Sequence, residues 1–196
     1  IPRLLLAYKS GVFPWYNEDE PILWWAPQKR MVVVPQHYTM HKSMHNIFNR
    51  KIFDITFNKD FYQVITTCKN IYRRDQQGTW ISDEIVEAYT RLHEMGLARS
   101  VEVWQNKKLV GGLYGVDIGN GIFCGESMFS KVSNASKVAF YTLLQDLKEK
   151  DYLLLDCQVY NEHLESLGAY EILRSEYMKY LLEGNIRLRI KKMKAS

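Results

Sequence analysis

The chain has 196 residues, 46% of them hydrophobic and 24% charged, with a formal net charge of +4. At that length a folded domain buries roughly 70% of the surface its unfolded chain exposes, so the composition excludes disordered, coiled-coil and collagen-like classes. The longest apolar runs, MVVV at 31–34 and YLLL at 152–155, are too short for a membrane span, and the first residues do not read as a signal segment. Three cysteines (Cys68, Cys124, Cys157) form no CxxC pair and suit a reducing cytoplasm. The charge is unevenly spread. Residues 29–74 carry nine Lys/Arg against Asp54 and Asp60, a balance of +7. The tail 187–194 adds five basic residues, which leaves the rest of the chain at −8. On charge alone such a pattern reads as a solvated face with a frayed tail before it reads as a polyanion surface.

The chain begins with Ile, so it reads as lacking its first residues. A short helix is expected at Pro2–Ser10, followed by an aromatic, proline-rich stretch, Gly11–Pro27. Helices are expected at Thr39–Asn49 and Asp60–Tyr72, with Ile52–Phe57 alternating like a strand between them. A firmer helix spans Ser82–Met95: Ser82 caps it, Asp83 and Glu84 suit its positive end and Gly96 stops it. Val101–Gln105, Lys108–Asp117 and Gly121–Phe129 read as three antiparallel strands with turns at Asn106–Lys107 and Gly119–Asn120. A helix at Asn134–Glu149, a buried strand at Tyr152–Tyr160 and a helix at Tyr170–Leu182 complete the order. This mixed α/β (α+β) order, with a mainly antiparallel central sheet flanked by helices, resembles the GNAT acyltransferase fold. Residues 1–36 are expected to be the remainder of a small N-terminal domain and 37–196 the catalytic domain.

Alternation along 152–160 puts Asp156 and Gln158 on one strand face and Cys157 on the other. In 123–129 it puts Cys124, Glu126 and Met128 on one face. Polar groups in apolar strands are costly unless hydrogen-bonded or used, and two acids on neighbouring strands point to a site. His37, His41 and His45 would line one helix face, but without HExxH or a nearby carboxylate they read as a surface stripe, not a zinc site. GGLYG at 111–115 lacks a P-loop Lys and reads as close backbone packing. The turn SKVSNASK (130–137), which would have to cradle a pyrophosphate, contains no glycine, so coenzyme A is not expected.

The motifs FPW (13–15), PILWWAP (21–27), GTWI (78–81), LVGGLYG (109–115), FCGESMFS (123–130), DCQVYN (156–161) and HLESLGAYEI (163–172) together resemble the leucyl/phenylalanyl-tRNA–protein transferases over nearly the whole chain. That resemblance implies transfer of Leu, Phe or sometimes Met from aminoacyl-tRNA to proteins with N-terminal Arg or Lys, marking them for the bacterial N-end rule pathway. It implies a cytoplasmic monomer that needs no metal and no cofactor. By the same resemblance Asp156 acts through Gln158 on the incoming amine. Leu113, Met128, Leu143 and Leu155 form the side-chain pocket, with Glu126 and Ser130 at its polar margin. Trp15 and Trp80 stack on the terminal adenosine of the tRNA. Lys42 and Arg50, supplemented by Lys51, Arg73 and Arg74, meet the acceptor stem. The alternatives are a GNAT-like enzyme with another acyl donor and a non-catalytic tRNA-binding module.

Overall fold

The computed structural model describes residues 1–16, 20–71 and 80–195. Pro2, whose fixed φ and missing N–H suit a first turn, opens helix α1 (Pro2–Lys9). Two short antiparallel strands follow, β1 (Phe13–Pro14) and β2 (Trp24–Trp25), and then β3 (Lys29–Val33). After α2 (Lys42–Asn49) and β4 (Asp54–Phe57), Asp60 caps α3 (Phe61–Asn70) by accepting from the Gln63 amide. Ser82 caps α4 (Asp83–Glu94) by accepting from the Ile85 amide, as its position in the sequence predicts. The meander is β5 (Ala98–Gln105), β6 (Lys108–Asp117) and β7 (Ile122–Ser130). Then come α5 (Ala135–Glu149), β8 (Leu154–Gln158), the short α6 (Glu162–Glu165), β9 (Tyr170–Leu173) and α7 (Arg174–Ala195).

Seven strands form one sheet in the order β4-β5-β6-β7-β8-β3-β9, antiparallel except for the β7–β8 pair. The parallel pair requires a crossover, and α5 supplies it. Helices cover both faces. One layer packs Tyr8 of α1, Val64 and Ile65 of α3, Tyr89 of α4 and Tyr177 of α7 against Val32, Tyr114 and Cys124. The other packs Met44 of α2 and Leu143, Leu144 and Leu147 of α5 against Met31, Val33, Leu113 and Leu155. Strands buried on both sides read as continuous apolar runs, which is why MVVV falls on β3, a strand flanked by β8 and β9.

Three expectations are corrected. Residues 29–33, given no strand by the sequence, form β3 between β8 and β9. Tyr170–Leu173 is not the start of the last helix but an edge strand, because β3 has an open side that these residues pair with; the helix begins at Arg174. The helix after the aromatic stretch begins at Lys42, with His41 as its N-cap, so His37, His41 and His45 do not share a helix face. The glycines of GGLYG behave as expected: a Cβ on Gly111 would lie 2.5 Å from the Ala135 Cβ, and one on Gly115 would collide with the Cys124 carbonyl.

Candidate active site

β7 and β8 pair only from Ile122 to Cys124 and from Leu154 to Asp156. Beyond that point β7 stays with β6 while Gln158 pairs with Met31 of β3, so the two parallel strands part. The gap is a cavity of about 510 Å³. Its floor is apolar, built by Leu113, Met128, Phe140, Leu143 and Leu155, and its polar wall carries Glu126 and Gln158. Trp15, Trp80, Ser130 and His163 also line it. The cavity thus brings together every residue that the sequence proposes for the side-chain pocket and the adenosine platform. Trp15 is 38% exposed and its ring lies 5.8 Å from that of Trp25, whose Nε1 donates to the Trp15 carbonyl at 2.7 Å. Ser130 Oγ accepts from the Ser136 amide at 3.2 Å, which ties the cavity wall to the first turn of α5.

Simple alternation fails in β7. A bulge opposite Tyr114 and Gly115 leaves Glu126 between paired Gly125 and Ser127. Cys124 packs in the layer of α1 and α4, whereas Met128 packs in the layer of α5, so the expectation that Cys124, Glu126 and Met128 share a face does not hold. Bulges re-aim a side chain in this way. Here Glu126 stays on the side of Cys124, Tyr8 and Tyr89, and the bulge turns Met128 over to the apolar floor.

Glu126 is 9% exposed, and its carboxyl lies within hydrogen-bond distance of three groups: Tyr8 Oη at 2.7 Å, Tyr89 Oη at 3.2 Å and Gln158 Nε2 at 3.0 Å. The two tyrosine hydroxyls are themselves 2.5 Å apart. Burial pushes the Glu126 carboxyl up to about 8, against the pull of the two tyrosine hydrogen bonds. Burial, then the neighbouring Glu126, pushes the Tyr8 and Tyr89 phenols well above their ordinary value. In the lining, burial and then Lys137 hold the His163 imidazole below its usual value.

Asp156 lies behind this wall, fully buried and outside the cavity lining. Arg30 grips it with two bonds, Nε to Oδ1 at 2.8 Å and Nη2 to Oδ2 at 2.7 Å. Tyr177 Oη adds a third at 3.0 Å, and the Gln158 main-chain amide donates to Oδ1 at 2.9 Å. The Arg30 guanidinium is itself sandwiched, 4.6 Å from the Phe13 ring and 4.6 Å from the Tyr177 ring. Burial works against its charge, but Asp156 more than offsets that, and its pKa rises above the ordinary value. The link from Asp156 to Gln158 therefore runs through the main chain, and Gln158 takes a left-handed φ of 67° there. The Gln158 side chain is engaged with Glu126 instead.

Sequence reasoning missed Tyr8, Tyr89, Arg30 and Tyr177. Arg30 was counted with the surface charge. Lys42, Arg50 and Lys51 are exposed at the two ends of α2, apart from the cavity lining, and Arg73 and Arg74 lie outside the described residues.

Comparison with known proteins identifies the family. Residues 32–182 match the family model described as leucyl/phenylalanyl-tRNA protein transferase, and residues 1–28 match the model of that family's N-terminal domain. A leucyl/phenylalanyl-tRNA–protein transferase of Flavobacterium johnsoniae is 62% identical over 179 residues, 91% of this chain and 84% of that protein. One from Flavobacterium psychrophilum is 57% identical with the same coverage. A Bacteroides thetaiotaomicron protein of unknown function shares the fold at a TM-score of 0.52 and 13% identity, over 67% of this chain and 50% of that one. Since the family model covers residues 32–182, well over half of the chain, the chain belongs to the leucyl/phenylalanyl-tRNA–protein transferase family.

Proposed function

We propose that the protein transfers Leu or Phe, and in some cases Met, from aminoacyl-tRNA to the N-terminal Arg or Lys of acceptor proteins, marking them for the bacterial N-end rule pathway. The observation that carries this reading is the cavity itself: an apolar floor, a polar wall of Glu126 and Gln158, and two tryptophans, Trp15 and Trp80, in its lining. The aminoacyl side chain fills the floor formed by Leu113, Met128, Phe140, Leu143 and Leu155. The terminal adenosine stacks on Trp15 and Trp80, a contact worth about 1–3 kcal/mol per base. We read the fold as GNAT-like, supported by the parallel pair that parts beyond Cys124 and Asp156 to receive an acyl group. We also place the protein in the cytoplasm as a monomer; among the described residues no helix is long and apolar enough to cross a membrane.

The ester is already activated, so positioning and charge stabilisation supply most of the catalysis. The acceptor's α-amine, with an ordinary pKa of about 7.7–8.0, is partly neutral at pH 7. Its lone pair attacks the ester carbonyl carbon, the bond from that carbon to the ribose oxygen breaks, and the proton lost by nitrogen ends on that oxygen. Gln158 donates through Nε2 to Glu126, which turns its carbonyl oxygen towards the incoming amine. Asp156 orients Gln158 through the main-chain amide and does not itself take the proton.

Incubation with radiolabelled Leu-tRNA, Phe-tRNA or acetyl-coenzyme A and a peptide beginning with Arg tests the reading. Label is expected on the peptide only from the charged tRNAs. Label from acetyl-coenzyme A would replace the reading with a different acyltransferase, and tRNA binding without transfer would replace it with a binding module.

A further inference from the structure

Three oxygen–oxygen contacts close on one another behind the cavity: Glu126 to Tyr8 at 2.7 Å, Tyr8 to Tyr89 at 2.5 Å, and Tyr89 to Glu126 at 3.2 Å. Each contact needs one proton. With Glu126 ionised the three groups hold only the two phenolic protons, and if both are aimed at the carboxylate, the closest contact of the three is left as two facing lone pairs. With Glu126 protonated there are three protons for three contacts. Glu126 Oε2 donates to Tyr89, Tyr89 to Tyr8 and Tyr8 to Glu126 Oε1. The same oxygen Oε1 then accepts from Gln158 Nε2 with its second lone pair.

We propose that Glu126, Tyr89 and Tyr8 form a closed hydrogen-bonded ring that keeps the carboxyl neutral in the resting enzyme and, through Oε1, orients the Gln158 side chain whose oxygen receives the acceptor's amine. The three are positioning residues for the transfer reaction, and this role rests on the function proposed above. The surroundings favour the neutral form. Tyr8 comes from α1, Tyr89 from α4 and Cys124 from β7 itself, with Tyr114 of β6 packed edge-on against Tyr89. The charges nearest to Glu126, Asp156 of β8 and Arg30 of β3, are locked onto each other. The burial that raises the Glu126 carboxyl acts in the same direction.

The ring and a simple pair of donors make opposite predictions. If the tyrosines merely donate to a carboxylate, removing either one raises the Glu126 titration midpoint. If they close a ring, Tyr8→Phe or Tyr89→Phe leaves one contact and one phenolic proton, which serves the ionised form, so the midpoint falls. Infrared difference spectra between the wild type and Glu126→Gln, in tRNA-free protein with carboxyl-labelled glutamate, read the protonation state directly. The expected result is a protonated-carboxyl band at pH 7 that Glu126→Gln lacks, and a midpoint lowered by at least one pH unit in each phenylalanine variant. The pH profile of kcat/KM should move in the same sense in both variants, a shift that a purely structural role would not produce. An ionised Glu126 at pH 7, or a midpoint that rises in the variants, overturns the ring. The wild-type spectrum alone decides the protonation state should a variant fail to fold. Because these spectra need no tRNA, a present band with no transfer leaves the ring standing and rejects the transferase reading. Transfer with an ionised Glu126 does the reverse.

Discussion

Arg30 shows how much one buried charge can organise. Its side chain is 2% exposed and spends both faces of the guanidinium on Phe13 and Tyr177 and its edge on Asp156. Removing one partner of such a pair leaves an uncompensated charge, so Arg30→Met should cost about 3–5 kcal/mol in urea denaturation. Adding Asp156→Asn to that variant should recover part of the loss. Glu126 behaves differently. Its carboxyl is raised from 4.5 to about 8 on folding, so between those values the folded state holds a proton that the unfolded chain has released. Stability attributable to this group is therefore full below about 4.5 and is lost as pH rises towards about 8, by up to about 1.4 kcal/mol per pH unit. Glu126→Gln cannot ionise, so the difference in Tm between the variant and the wild type should shift in the variant's favour from pH 5 to pH 8. Neither residue's partners were legible in the sequence. Pattern reading treats an Arg beside Lys29 as surface, and alternation gives the face of Glu126 but not the two tyrosines that α1 and α4 bring to it.

Elements with strong local signals came out as the sequence suggests. The meander and the capped helix α4 combine periodicity with a turn or cap at the right place, and the crossover helix α5 carries a long apolar stripe. β3 and β9 have no such signal, because their identity depends on each other: a four-residue apolar run becomes a central strand only once β8 and β9 flank it. Strand preference is set by such neighbours more than by the residues alone. Gly111 shows the opposite case, where local sequence is a guide to packing. A Cβ there meets Ala135 at the start of α5. Gly111→Ala should displace the first turn of that helix, destabilise the protein by about 1–3 kcal/mol and slow transfer, since Ser136 of the same turn lines the cavity. Denaturation midpoints and single-turnover rates measure the two effects.

Over the whole molecule, the charge pattern read from the sequence divides once the fold is known. Of the basic residues in 29–74, Arg30 is buried against Asp156, while Lys42, Arg50 and Lys51 stay exposed around α2. Unlike Arg30, these three are free to meet phosphates. Lys42→Ala with Arg50→Ala should lower the slope of log affinity for tRNA against log salt by about 1.4–1.8, and an unchanged slope would remove α2 from the interface. The same division bears on the acceptor, because Asp156 is already neutralised by Arg30 and lends little negative field to the cavity. The insertion of β3 between β8 and β9 has one more consequence, for the order of events during synthesis. Arg30 and Asp156 are 126 residues apart, so at about 5–20 residues per second the ribosome makes the first roughly 6–25 s before the second. Until β8 and β9 emerge, β3 has no partner strand, the ion pair has no acid and the cavity has only one wall. A nascent chain therefore cannot draw on the aminoacyl-tRNAs that are extending it, and activity begins only after β9 has been made.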